Sequence, residues 1–264
     1  MKKVAILLLA ILTFSCSDDD EKGTEENKGQ WAMIFNETIK SDSNPVDRTE
    51  KFMFDGKRLI QHIIKQRYFE EEISNEVNLS YSDNQVTVTT DYLTLVYTLN
   101  SEGYASQCVY SLSSQNRIYQ FSYSAEGYLT GIVENIDDTE YSSTSLTYEN
   151  GDITSISSKM NGLENKFIYE PGEESSTYHL PCLGLLEIHT LTFHIEALYA
   201  GLLGKDPRHF TIRSCPAGSN DEKTVYSYGF DKKGNPSRMI CQTTYAGGQA
   251  SYYPYTRNIS VSFE

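Results

Sequence analysis

Apolar and polar residues alternate along most of this chain. In residues 119–132, Tyr119, Phe121 and Tyr123 alternate with Gln120, Ser122 and Ser124. A period of two predicts a strand with one aromatic face and one small polar face. Gly127 supplies the positive φ of a tight turn, and Leu129 and Ile132 begin the return strand. The chain repeats this hairpin. Counted from the last aromatic of the outgoing strand, glycine falls at +4 and apolar residues at −2, +6 and +9. Tyr97, Leu99, Gly103, Ala105 and Cys108 fit, as do Tyr228, Phe230, Gly234, Pro236 and Met239. Leu146, Tyr148, Gly151, Ile153 and Ile156 fit with a turn one residue shorter, and Leu79, Tyr81, Asn84 and Val86 form another short unit. Phe52 and Phe54 lead to Ile60 and Ile63 with an early glycine at Gly56, and Phe167 and Tyr169 open one more unit.

Positions +6 and +9 have opposite parity, so a regular strand cannot put both on one face. A bulge or twist is expected between them. The closely spaced strands and the turn residues between them, such as Glu102-Gly103, Asn150-Gly151 and Lys233-Gly234, predict a mainly β fold. It is an antiparallel meander of repeated hairpins, curled or barrel-like.

Residues 171–224 break the pattern. Pro171-Gly172 is expected to end a strand. Thr190 is placed to cap a helix in which Leu191, Ile195, Leu198 and Leu202 share a face that Phe193, Ala197 and Tyr199 widen. Gly204 closes it, Lys205 suits its C-terminal dipole and Pro207 forbids continuation. One inserted amphipathic helix of about three to four turns is expected, covering the sheet or plugging one end.

Composition adds the character of the core. With 20 Tyr, 11 Phe and a single Trp, the buried face is expected to be lined by Tyr and Phe, with order beginning near Trp31. The chain carries a formal charge of −14. That argues against nucleic acid, which requires a basic patch, and against broad contact with anionic headgroups.

The beginning of the chain reads as an address. Lys2-Lys3 precedes the apolar run of residues 4–12, which is too short to span a bilayer. Leu12-Thr13-Phe14-Ser15-Cys16 then resembles the bacterial lipobox. The resemblance implies cleavage before Cys16 and acylation there, palmitate being a typical chain. Each buried methylene contributes about 0.8 kcal/mol, so several acyl chains anchor stably. Cleavage removes Lys2 and Lys3, leaving 20 basic residues against 36 acidic ones, a formal −16. Ser17, Asp18, Asp19, Asp20 and Glu21 form a solvated acidic run. The run resembles the export signal of Bacteroidetes-type lipoproteins bound for the outer face of the outer membrane. The expected organisation is a signal peptide at 1–15, a lipidated, acidic, flexible tether at 16–30 and one β-rich domain at 31–264 with its helical insert at 171–224.

The segment Ala200-Gly201-Leu202-Leu203-Gly204-Lys205-Asp206-Pro207 is followed by an aromatic hairpin unit and preceded by aromatic-Gly-Leu repeats. Together these resemble, over about residues 50–264, a family of Bacteroidetes surface lipoproteins. It is a domain-of-unknown-function family described with a porin-like fold. The hairpins are more loosely similar to the Tyr-Asp repeats of Rhs-type proteins, through Phe54-Asp55 and Phe230-Asp231. The family resemblance implies a curled or barrel-like antiparallel sheet and brings no activity. Transmembrane strands carry apolar residues toward lipid. Here the alternate positions are Ser, Thr and Gln, so a transmembrane pore is not expected.

Chemical motifs are sparse. Of the five histidines, His62, His179, His189, His194 and His209, none has ligand spacing, and His189 and His194 are five apart rather than one helical turn. No nucleophile elbow, zincin, P-loop or dinucleotide fingerprint occurs, so no cofactor and no metal are expected. Asp137, Asp138 and Glu140 read as a solvated cluster. The expected function is a non-enzymatic binding or structural role at the outer membrane, facing the exterior. The membrane is met through the lipid on Cys16, and the partner is a glycan or another outer-membrane protein. Tyr rings beside Ser, Thr and Asn suit sugar faces. The alternatives are an extracytoplasmic hydrolase using acidic residues in an end cavity, or a scaffold subunit of an outer-membrane complex. Paired buried carboxylates would favour the hydrolase, and an apolar patch the scaffold.

Four cysteines remain beyond Cys16. Cys108 holds a +9 core slot and Cys241 shares the face of Met239, so both read as small core residues. Cys182 and Cys215 bracket the insert, each beside a proline, and are the candidate disulfide pair. Closure of the intervening loop would contribute roughly 3–4 kcal/mol by chain entropy.

Overall fold

The computed structural model describes residues 29–39, 46–68, 71–112, 115–175, 189–219, 222–244 and 255–264. Sixteen strands run through them. They are β1 (Gln30–Ile39), β2 (Val46–Asp55), β3 (Arg58–Tyr68), β4 (Glu71–Tyr81), β5 (Gln85–Thr89), β6 (Thr94–Leu99), β7 (Ala105–Leu112) and β8 (Gln115–Tyr123). The second half has β9 (Leu129–Ile136), β10 (Thr139–Glu149), β11 (Asp152–Met160), β12 (Leu163–Ser175), β13 (His209–Pro216), β14 (Lys223–Phe230), β15 (Pro236–Thr244) and β16 (Tyr255–Phe263). Every strand pairs antiparallel with its neighbours in sequence, and β1 pairs with β16, closing a barrel. Closure removes the exposed edges an open sheet would present.

The parity conflict in the hairpin unit is resolved by bulges. The register shifts between Thr98 and Leu99, between Ser122 and Tyr123, between Thr147 and Tyr148, and between Gly229 and Phe230. Each shift lets both apolar residues of the return strand point inward: Ala105 with Cys108, Leu129 with Ile132, Ile153 with Ile156, and Pro236 with Met239 are all buried.

The β2–β3 hairpin differs from expectation. Its turn is tight at Gly56, which has a φ of 58°. The return strand therefore arrives one residue early, and a one-residue slip turns every side chain to the other face. Leu59 and His62 occupy the inward slots and are fully buried, while Ile60 and Ile63 lie on the opposite face.

The interior is apolar near the tight turns. Phe52, Tyr97, Tyr119 and Phe121 line it, and Trp31 stacks on Phe54 at 4.2 Å while its indole N–H donates to the Gly56 carbonyl at 2.8 Å. The outward face is mixed: Thr98, Gln107 and Gln120 stand side by side across β6, β7 and β8 and Ser145 faces Ser157, while Val96, Val109 and Ile118 form the next row on that face. Among the described residues no helix is long and apolar enough to cross a membrane.

The helix expected in the insert is present, broken into two short pieces. Strand β12 passes Pro171-Gly172 with register shifts and ends at Ser175, and β13 begins at His209. The connector holds two short helices, α1 (His189–Thr192) and α2 (Ile195–Tyr199). Thr190 lies inside α1 instead of capping it. The helix breaks at Phe193-His194 because His194 is drawn into the aromatic interior, which leaves Phe193 46% exposed. Leu191, Ala197, Leu198, Tyr199 and Leu202 are buried as the apolar face predicts.

Candidate functional site: a charged pocket above a helical plug

The connector enters the barrel from the end that carries the tight turns. Its return leg is stitched across that end by the backbone. Ala105 N–H donates to Leu202 O at 2.7 Å, Lys205 N–H to Gly127 O at 2.9 Å and Arg208 N–H to Gly151 O at 3.0 Å. His209 adds a ring contact to the buried Asp152 at 2.9 Å, and its backbone N–H donates to the same carboxylate at 2.8 Å.

Deeper in, the plug is held by rings. Tyr199 packs on Phe52 at 4.0 Å and Phe35 at 5.9 Å. His194 is fully buried and meets Tyr119 edge-on at 4.4 Å. Burial holds its imidazole neutral, with a pKa pushed down to about 3. The Tyr97 hydroxyl and His194 Nδ1 share a hydrogen bond at 2.8 Å. Nε2 has no hydrogen-bond partner among the described residues. The rings of Tyr97, Tyr119 and Phe121 surround it.

Above the plug, toward the β1–β2 and β15–β16 connections, the lumen wall becomes charged. A cavity of about 230 Å³ is lined there by Glu37, Arg48, Glu50 and Arg257. Thr192, Ile195 and Tyr199 of the plug, and Phe35, Met239 and Ile259 of the wall, complete it. Strand register creates the group: Glu37 pairs across β1–β2 with Arg48, Phe35 with Glu50, and Ile39 across β1–β16 with Arg257.

The four charges are not equivalent. Arg257 grips Glu37 through two N–H groups, Nε to one oxygen and Nη2 to the other at 3.0 Å. Glu50 receives His62 Nε2 at 3.0 Å. Arg48 Nε also lies 2.7 Å from Glu50, but it makes no aligned hydrogen bond, so the contact is an ion pair alone. His62 turns its other nitrogen to Glu196 of α2 at 2.8 Å and stacks on Phe52 at 4.0 Å. Burial would lower the His62 pKa, but the hydrogen bonds to Glu196 and Glu50 outweigh it and raise it. Burial would raise Glu50, but the His62 hydrogen bond and the nearby Arg48 charge hold it below the usual carboxylate value.

Another buried carboxylate, Glu134, sits on the β8–β10 wall. It accepts from Arg117 at 3.1 Å, Tyr119 O–H at 3.2 Å and Ser142 O–H at 2.7 Å. With three donors it is satisfied by its own wall.

Of the residues singled out by sequence, Cys16, Ser17, Asp18, Asp19, Asp20, Glu21 and Cys182 lie outside the described residues. Cys215 is half-buried on β13 and bonded to no described cysteine. Cys108 and Cys241 are buried core residues as expected. Asp137 and Asp138 form the β9–β10 turn, with φ of 48° and 65°. The pocket residues carry no local signature. Glu37 and Arg257 stand 220 residues apart, and only strand closure brings them together.

A sixteen-stranded closed antiparallel barrel, plugged from one end, defines a porin-shaped class of protein. The chain belongs to the family described as a domain of unknown function (DUF4595) with porin-like fold, which matches residues 52–238. It is similar to a porin-like protein from Bacteroides uniformis, with 27% identity, a TM-score of 0.80, and coverage of 88% of this chain and 96% of that one. A porin-like protein from Bacteroides vulgatus shares the fold at 12% identity and a TM-score of 0.54, covering 87% of this chain and 97% of that one. No curated protein matches the chain.

Proposed function

We propose that this protein is a lipid-anchored binding protein of the outer membrane, facing the exterior, whose barrel-end pocket holds part of a glycan. The observation that carries the reading is the pocket itself. Charged, hydrogen-bonding side chains converge on a concave site beside apolar surface from Ile195, Met239 and Ile259. Such mixed lining suits a ring with hydroxyls on its rim and C–H groups on its faces. At about 230 Å³ the cavity is smaller than the roughly 300–1,000 Å³ of drug-sized sites, which suits a single sugar unit.

The anchor agrees with this arrangement. Strand β1 starts at Gln30, paired with Asp55 beside the Gly56 turn, at the plugged end. A lipid on Cys16 would therefore join the body at the end opposite the pocket.

The hydrolase alternative uses the same two carboxylates, Glu37 and Glu50. A glycosidase needs one carboxyl kept protonated as the acid. Glu50 is instead held ionised, and Glu37 is clamped by Arg257. The arrangement favours holding over cleaving. A scaffold role has one observation in its favour: Met160, Leu163, Phe167 and Ile168 are exposed on the β11–β12 hairpin.

A glycan array probed with the full lipoprotein in detergent tests the binding reading. Retention of a discrete glycan set, with no cleavage products, is the expected result. Silence across the array defeats it, and released sugar would move the assignment to the hydrolase. Extraction in a complex larger than the monomer, lost on Leu163→Asp, would favour the scaffold.

A further inference from the structure

We propose that the barrel-end pocket selects a sugar ring bearing a carboxylate, and that Arg48 is the residue that reads it; this rests on the glycan-binding reading above. Three cationic groups stand at or behind the pocket, and they differ in what they are already doing. Arg257 is committed to Glu37 through two N–H groups. His62 is fully buried, with both ring nitrogens engaged by Glu50 and Glu196. Arg48 lines the cavity, keeps 28% of its side chain exposed, and among the described residues has only an unaligned ion pair to Glu50. Its counter-ion is shared, because Glu50 also takes the His62 hydrogen bond.

Arginine presents a planar fork that matches a carboxylate in two parallel hydrogen bonds. A fork that meets no aligned acceptor among the described residues, in a concave site, is a receptor for that group. The surrounding charge permits it. Arg48, Arg257 and His62 face Glu37, Glu50 and Glu196, so with His62 protonated the empty site is neutral within a chain of formal charge −14. A single anionic ligand is drawn by the fork and not rejected by the wall. The remaining hydroxyls would meet the oxygens of Glu37 and Glu50, and the ring face would lie on Ile195 and Met239.

Calorimetric titration of the full lipoprotein with glucuronate, galacturonate and N-acetylneuraminate, against glucose and galactose, tests the proposal. At least one acidic sugar is expected to bind about tenfold tighter than its neutral counterpart. Arg48→Gln is expected to remove that advantage, and Arg48→Lys to restore only part of it. Equal affinities for acidic and neutral sugars in the unmodified protein would overturn the selectivity and leave the glycan reading standing. That comparison needs no variant to fold. Unchanged glucuronate binding by a folded Arg48→Gln would overturn the role of Arg48. Binding of no sugar at all would overturn both readings.

Discussion

Two histidines inside the barrel are held in opposite states by their neighbours. His62 lies between two carboxylates and its pKa is raised above 6.5. Its contribution to stability is fully present below pH 6.5 and is lost as pH rises through the raised value. His194 lies among rings and its pKa falls from 6.5 to about 3. Its neutral state is favoured in the fold, so its contribution is present above pH 6.5 and drains away between 6.5 and about 3. Each limb has a slope of at most about 1.4 kcal/mol per pH unit. Glu50 adds to the acid limb, since its lowered pKa gives stability above 4.5 that is lost as pH falls through the lowered value. Denaturant midpoints measured across pH should separate them. His62→Gln is expected to flatten the alkaline limb, and His194→Asn the limb below 6.5. A variant that merely shifts the whole curve, with its slope intact, would reject the assignment for that residue.

At the scale of elements, hairpin and plug depend on each other through close backbone approach. Gly204 has a φ of 90°, and a Cβ there would sit 2.6 Å from the Gly127 carbonyl oxygen. Gly204→Ala should therefore cost about 1–3 kcal/mol, read as a lowered denaturant midpoint. No change would mean that the plug does not rest on the Gly127 turn. Phe52 is fully buried and touches both His62 and Tyr199. Phe52→Ala should cost about 3–5 kcal/mol by the same measurement. The hairpins were readable because their pattern is local: the parity clash between Leu129 and Ile132, or Ala105 and Cys108, already required the bulges that occur. The β2–β3 return strand departs from the spacing set by the longer turns. Gly56 shortens the turn, and the inward slot goes to a polar residue, His62. The break at His194 had no local sign at all. It follows from the rings of Tyr97, Tyr119 and Phe121, which come from other hairpins.

As a whole the molecule is a barrel in two layers. The layer near the tight turns is filled by aromatic side chains and the plug, and the layer beyond it is a charged lumen. The repeat predicted the first layer because each unit places its apolar residues beside its own turn. The second layer was not readable, because Glu37, Arg48, Glu50 and Arg257 are ordinary charged residues until β1 meets β16. A lipid on Cys16 would tether this body to the membrane through the chain that enters at its plugged end. Cys16→Ala should then release the protein from washed membranes or leave it uncleaved, and unchanged partitioning and mass would reject the anchor.

The account turns on the pocket, and blocking it is the direct test. Ile195 lines the cavity at the start of α2, so Ile195→Trp should fill it without touching the four charges. The tightest glycan from the array, titrated into this variant and the unmodified protein side by side, should lose at least about tenfold in affinity while the melting temperature holds. Equal affinity in the two proteins would place the binding elsewhere and contradict the account.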